Sequence, residues 1–165
     1  MRVLGIDPGT RVVGYGVVDG AGDDINLVDC GALKSRVDRP MGERLAALYE
    51  QISDVVVRHQ PDAVAVEQPF VGRNVKTALA IGKAQAIAML AGASRGIPTF
   101  EYTPAQIKQR VTDYGTSSKE QVQRMVALQL GLTEPPEPLD ASDALATALC
   151  HLAELHLESL VEGAR

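Results

Sequence analysis

Between Arg2 and Lys34 the chain holds three strand-like runs, Arg2 to Asp7, Val12 to Val18 and Ile25 to Lys34, with too little chain between them for a helical crossover. Parallel neighbours need a connection of about a dozen residues or more, so these runs are expected to form an antiparallel meander. Gly20, Gly22, Asp23 and Asp24 supply the turn residues before the third run. After Pro40 the period changes. Met41, Leu45, Leu48, Ile52 and Val55 follow one another at spacings of three and four, which predicts an amphipathic helix reaching Gln60 with Pro40 near its first turn. The run after it, Asp62 to Glu67, is unbroken and apolar from Ala63 to Val66, as expected of a parallel, central strand buried on both faces.

The rest of the chain reads as an Ala-rich helix from Asn74 to Ala93, a short strand from Thr99 to Tyr102, and helices over Pro104–Val111 and Ser118–Leu130. Glu134 to Pro138 contains three prolines and cannot be helix interior. A closing helix is expected from Leu139 to about Val161, with Leu145, Leu149, Leu152 and Leu160 on its core face and Gly163 as its stop. Three strands, then alternating helices and strands, imply an α/β domain: a mixed five-stranded sheet, three antiparallel strands followed by parallel ones, flanked by helices on both faces. At 165 residues and 45% hydrophobic, one core and one domain, residues 1–162, are expected, with 163–165 as a tail. The chain shows no unbroken apolar run of membrane-spanning length, and Met1 and Arg2 lead directly into a strand pattern, so no membrane association and a cytoplasmic location are expected. Cys30 and Cys150 form no metal-ligand or disulfide spacing and read as buried free thiols.

Two of the strand runs end on a carboxylate: Asp7 in GIDPGT and Glu67 in AVAVEQPF. If these strands are neighbours, the two acids meet at one edge of the sheet, where open α/β sheets place their sites. Asp140 and Asp143 project from one face of the first turn of the closing helix. Acids in a first turn also favour the helix dipole, so this pair alone reads more readily as a cap than as ligands. A buried strand ending on a charge is a stronger signal, because that charge must be solvated, paired or metal-bound. Four converging hard oxygen donors suit Mg²⁺ or Mn²⁺, and two such ions would support in-line phosphoryl displacement by water, with Asp7 as the bridging acid. The expected catalytic and metal-binding set is therefore Asp7, Glu67, Asp140 and Asp143.

A net charge of −5 argues against a polyanion as partner, but the average conceals a split. Residues 70–125 hold eight basic residues against three acidic ones, whereas Glu134 to Glu162 holds seven acidic residues and no Lys or Arg. That division suggests a basic face opposed to an acidic one. Phe70 follows Glu67 in a loop with Arg73 and Asn74; an exposed aromatic there would stack on unpaired bases, although a loop Phe also tucks readily onto its own core. The small residues of the Asn74–Ala93 helix permit close packing, either inside the core or across a two-fold axis.

The ordered set GIDPGTRVVGYGVV, AVEQPFVGRN, PAQIKQRVT, SSKEQVQRMV and DASDALATALCH resembles the RuvC family of Holliday junction resolvases, from Arg2 to about His151. The resemblance implies a ribonuclease H-like fold and a homodimer with two Mg²⁺ ions per subunit, for which Mn²⁺ would substitute. It implies symmetrical nicking of four-way junction DNA that leaves 5′-phosphate ends, in recombination and repair, together with a RuvA–RuvB branch-migration complex as partner. It places Asp7, Glu67, Asp140 and Asp143 on the family's catalytic acids, Phe70 on its junction-wedging aromatic, and Lys108 and Lys119 on its basic DNA contacts. In some members a His stands at the third acid position, where this chain has Asp140. Arg73, Asn74 and Lys76 in the adjoining loop and helix start are further candidate DNA contacts. Two rivals share the opening motif. Against a nuclease-fold protein acting on RNA, the late acid pair together with Phe70, Lys108 and Lys119 favours the junction resolvase, and an actin-like ATP-binding protein needs a second lobe for which 165 residues leave no room.

Overall fold

The structure, a computed structural model, describes residues 1–21, 24–70 and 74–163. The meander forms as expected: β1 (Arg2–Asp7), β2 (Val12–Ala21) and β3 (Asp24–Lys34) pair antiparallel in sequence order. Strands β2 and β3 run further than the pattern implied. Gly20 and Asp24 lie within the paired strands, while Gly22 and Asp23 fall outside the described residues. Helix α1 (Met41–His59) carries the chain back, and β4 (Ala63–Glu67) joins β1 in parallel. Helix α2 (Val75–Ala93) leads to β5 (Thr99–Tyr102), parallel to β4, so the strand order is β3-β2-β1-β4-β5. Helices α3 (Pro104–Thr112), α4 (Lys119–Gln129) and α5 (Leu139–Gly163) complete the domain.

Strand periodicity of two assigns each side chain to a face. Leu4, Ile6, Val13, Val17, Val64 and Val66 point to one face and pack with Leu48, Ile52, Val55 and Val56 of α1 and Ala88 and Ala91 of α2. Full burial of each large aliphatic contributes roughly 1.5–3 kcal/mol, so this layer supplies much of the core. Val3, Val18 and Ala65 point to the other face, under Leu145, Ala148 and Leu149 of α5, with α3 and α4 beyond.

On that second face α5 sits almost on the backbone of β1 and β2. A Cβ at Gly5 would overlap the carbonyl oxygen of Ala144, and one at Gly14 would overlap that of Asp140. Glycine inside a strand marks such close approaches, and here it lets the acidic first turn of α5 reach the sheet edge. Helices α3 and α4 each start in a capping box, Thr103 with Gln106 and Ser118 with Gln121, so Ser118 is the cap and not the first helical residue.

Two expectations are corrected. Leu160 does not face the core: α5 outruns the sheet after Leu152, and Leu157, Leu160 and Val161 lie exposed. Cys150 is buried, but Cys30 on β3, toward the edge of the sheet, is only partly so. Helix α5 is also long and apolar enough to cross a membrane by length and composition. Its residues from Ala144 to His151 are buried in the domain, so that apolarity belongs to a core helix.

Candidate active site

Strand register brings the first two acids together. Ile6 pairs with Val66, so Asp7 and Glu67 leave the sheet side by side at the same edge and, by alternation, on the face that α5 covers. Asp143, one turn into α5, joins them in a cleft of about 310 Å³ also lined by Pro104, Ile107, Lys108, Lys119 and Val122. Asp140 stands on the other side of this centre, in a groove between the β1–β2 turn and α2. Its charge is still felt at Asp7.

The electrostatics are those of crowded, half-buried acids. Burial, reinforced by the charges of Glu67, Asp143 and Asp140, pushes Asp7 up to about 8. Burial and Asp143 push Glu67 up to about 7, against the pull of Lys119 and Lys108. Asp143 is raised by burial too, opposed by Lys119, whose Nζ lies 2.5 Å from Asp143 Oδ2. Among the described residues no three His, Cys, Asp or Glu side chains close around one point at ligand distance. Like charges crowded at this edge repel, and a bound cation would offset that repulsion. The donor set, carboxylate oxygen without thiol or imidazole, fits a hard divalent ion such as Mg²⁺.

The remaining candidates are placed as follows. Phe70 is 78% exposed and lines a small cleft with Asp7, Glu67 and Pro104, beside the acids and not tucked onto the core. Lys108 and Lys119 line the acid cleft itself, Lys119 as the first residue of α4 and Lys108 one turn into α3, each helix being started by a capping box. Asn74 is the N-cap of α2, its side-chain oxygen accepting the Thr77 N–H at 3.0 Å, so one of its polar atoms is already committed. Lys76 lines the groove that holds Asp140. Arg73 lies outside the described residues.

The basic segment does not form one face. Arg110 is held by Glu154 at 2.7 Å, tying α3 to α5, and Arg95 donates to the carbonyl of Ala91 at the far end of α2. Reading the sequence missed Pro104 and Ile107 as cleft walls, and it missed the glycines. The signal for the glycines was present: Gly14 and Gly16 are two apart in a strand and so open the same face.

A sheet of this order, with carboxylates at the ends of its adjacent central strands and a third acid delivered by a helix across one face, defines a ribonuclease H-like nuclease. The model of the family described as crossover junction endodeoxyribonuclease RuvC matches residues 3–151. The chain is 54% identical over 151 residues, 92% of each chain, to the crossover junction endodeoxyribonuclease RuvC of Dehalococcoides mccartyi strain 195. It superposes on Thermus thermophilus RuvC in complex with a Holliday junction substrate with a TM-score of 0.89 and 35% identity, over 96% of both chains. The yeast mitochondrial Holliday junction resolvase shares the fold at a TM-score of 0.69 and 11% identity, over 95% of this chain and 82% of that one. The chain belongs to the RuvC family of crossover junction endodeoxyribonucleases.

Proposed function

We propose that this chain resolves four-way DNA junctions, cutting two strands symmetrically by metal-dependent phosphodiester hydrolysis. The observation that supports this most directly is the acid cleft, in which Asp7, Glu67 and Asp143 face Lys108 and Lys119 beside an exposed Phe70. Family membership and the structural likeness to a RuvC bound to a junction narrow the nucleic acid to branched DNA.

Asp7, Glu67, Asp140 and Asp143 would hold two Mg²⁺ ions, or Mn²⁺ in their place. When bound, such ions supply Lewis acidity to the attacking water and neutralise the leaving 3′ oxygen. The chain's own groups do the rest. Burial of Asp7 and Glu67 makes their carboxylates poorly solvated, so they gain more from a cation than exposed acids would. The Lys119 ammonium, which holds Asp143, and the Lys108 ammonium flank the cleft where the anionic phosphate arrives. Water adds to phosphorus, the bond to the 3′ oxygen breaks, and the products are a 5′-phosphate and a 3′-hydroxyl. Phe70 stacks on bases that lose their partners at the branch point.

Two symmetrical cuts call for two copies of the centre. The outer face of α2 suits a two-fold contact: Val75 and Leu79 are largely exposed, and Gly82 has open space in front of it. Leu79→Asp is expected to yield a folded monomer that binds junctions weakly and no longer makes paired cuts. A branch-migration complex of the RuvA–RuvB type is the partner the family reading implies, and the cytoplasm is the location.

Incubation of the full chain with Mg²⁺ and, separately, a synthetic four-way junction, a linear duplex and an RNA–DNA hybrid tests the reading. Paired nicks confined to the junction and abolished by EDTA are expected. Nicking of the hybrid alone, or equal nicking of all three substrates, would overturn it.

A further inference from the structure

We infer that Arg11 and Lys76 form a second phosphate grip on the opposite side of the acids from Lys108 and Lys119, so that the cut strand is held on both sides of the scissile bond. The inference rests on the reading of the acid edge as the cutting centre. A groove of about 620 Å³ runs between the β1–β2 turn and α2, lined by Gly9, Thr10, Arg11, Lys76 and Thr77, and ends at Asp140. It thus opens onto the acid centre from the side that the Lys108 and Lys119 cleft does not reach.

Three observations point to an anion in this groove. First, the side chains of Arg11 and Lys76 are exposed and neither makes a hydrogen bond or ion pair among the described residues; Arg2, Arg36, Arg39, Arg44, Arg95 and Arg110 are each engaged, and Arg58 and Arg124, also free, line neither this groove nor the acid cleft. Second, the backbone beneath Arg11 is braced. The Thr10 carbonyl accepts from Ser35 Oγ at 2.6 Å and from the Arg44 guanidinium, Arg44 also donates to Ser35 Oγ at 3.2 Å, and the Ser35 N–H donates to the Arg11 carbonyl at 3.0 Å. A braced backbone spares the main chain's share of the ordering entropy on binding and leaves only that of the side chain. Third, Lys76 stands in the first turn of α2, where a cation opposes the helix dipole, and no acid there offsets it. That placement is unfavourable in the free chain and becomes favourable when a phosphate sits over the helix start.

Among the described residues the groove is lined by no aromatic side chain, so the contact expected is with backbone phosphate and not with bases. It faces away from the proposed two-fold contact: Lys76, Thr77, Ala80 and Ile81 line it, while Val75, Leu79, Gly82 and Ala86 line the outer side of α2.

Arg11→Ala, Lys76→Ala and the double variant, made in the full chain, test the grip, with Arg11→Lys as the charge-preserving variant. Arg58→Ala, at the far end of α1, serves as the control. Junction affinity is measured across a salt series with Ca²⁺ in place of Mg²⁺, beside thermal melting. Each alanine variant is expected to weaken junction binding by about tenfold. Each should also lower the salt slope by about 0.9, while Arg11→Lys and Arg58→Ala bind like the parent. A folded double variant with parental affinity and slope overturns the inference, and so does a changed cutting sequence with an unchanged slope, which would mark a base contact. Nicking by Asp7→Asn separates the two failures. If that variant still cuts, the cutting-centre reading falls; if it is inactive while the double variant binds like the parent, only the grip falls.

Discussion

The two faces of the sheet are built from opposite kinds of residue. Toward α1 and α2, the central strands present Leu4, Ile6, Val13, Val17, Val64 and Val66, large branched side chains that hold the helices a full side-chain layer away. Toward α5 the same strands present Gly5, Gly14, Gly16 and Ala65, and the helix backbone lies nearly on the sheet. The first face maximises buried apolar area. The second gives up area for position: close approach delivers Asp143 to the edge where Asp7 and Glu67 emerge. Stability and chemistry are therefore divided between faces, which predicts that damage to one face will leave a different signature from damage to the other.

The largest effects belong to the α5 face. Asp7→Asn is expected to reduce nicking by roughly a thousandfold while keeping junction binding, because it removes a charge needed only by the reaction centre. It should also melt no lower than the parent, since the buried charge it removes is crowded by Glu67, Asp143 and Asp140. Gly14→Val would drive a side chain into the Asp140 carbonyl and lift the start of α5. A folded variant without nicking, or failure to fold, is expected; parental cutting would show that α5 does not depend on this contact.

The opposite face should lose stability without losing chemistry. Ile52 is fully buried among α1 and the sheet, so Ile52→Ala is expected to cost about 2–5 kcal/mol in denaturant unfolding. At a temperature where the variant remains folded, its kcat on a junction should match the parent. A kcat loss of the size expected for Asp7→Asn would break the division between faces.

How far the sequence disclosed this arrangement follows the same division. The aliphatic face was legible because period-two and period-3.6 apolar patterns are strong, and they locate β1, β4 and α1 to within a residue or two. The acids Asp7 and Glu67 were legible for a related reason, since a carboxylate closing a buried run is energetically conspicuous. The α5 face was harder to see. Glycine contributes no apolar signal, so the contacts at Gly5 and Gly14 appear only when the helix is in place. For the same reason nothing in the spacing of Asp140 and Asp143 tells that they flank the centre from two sides. Leu160 was misassigned because helical periodicity continues along α5 after the sheet beneath it has ended.

A smaller effect, in pH, sharpens the comparison by separating the buried acids from the exposed ones of α5. Asp7 sits at about 8 and Glu67 at about 7 in the folded chain, against about 4 for such groups in an unfolded one. The folded state therefore binds these protons more tightly. Its stability is penalised when both acids are charged, above about pH 8, and recovers as pH falls through the folded values. Without divalent ions the melting temperature is expected to rise by several degrees between about pH 9 and pH 6.5. Mg²⁺ should stabilise most at the alkaline end, where it does not compete with protons. A flat profile in the parent, or an unaltered one in Asp7→Asn, would show that the crowding at this edge does not reach the stability of the fold.

The smallest effect tests whether the cleft depends on local caps as well as on the sheet. Thr103 accepts the Gln106 N–H at 3.2 Å, and Gln106 returns the contact to the Thr103 N–H at 2.9 Å, fixing the start of the helix that presents Ile107 and Lys108 to the acids. Thr103→Ala removes one half of this box and is expected to cost about 1 kcal/mol, or a melting shift of about 3 °C. Because α3 is also held by Ile107 and Val111 in the core and by Arg110 on Glu154, the helix should stay in place. Frayed at its first turn, it would present Lys108 less steadily, so KM for the junction is expected to rise while kcat is retained. A lowered kcat with unchanged KM would instead place the cap within the reaction geometry, and the cleft would then owe its shape to α3 as much as to the glycine-lined face beneath α5.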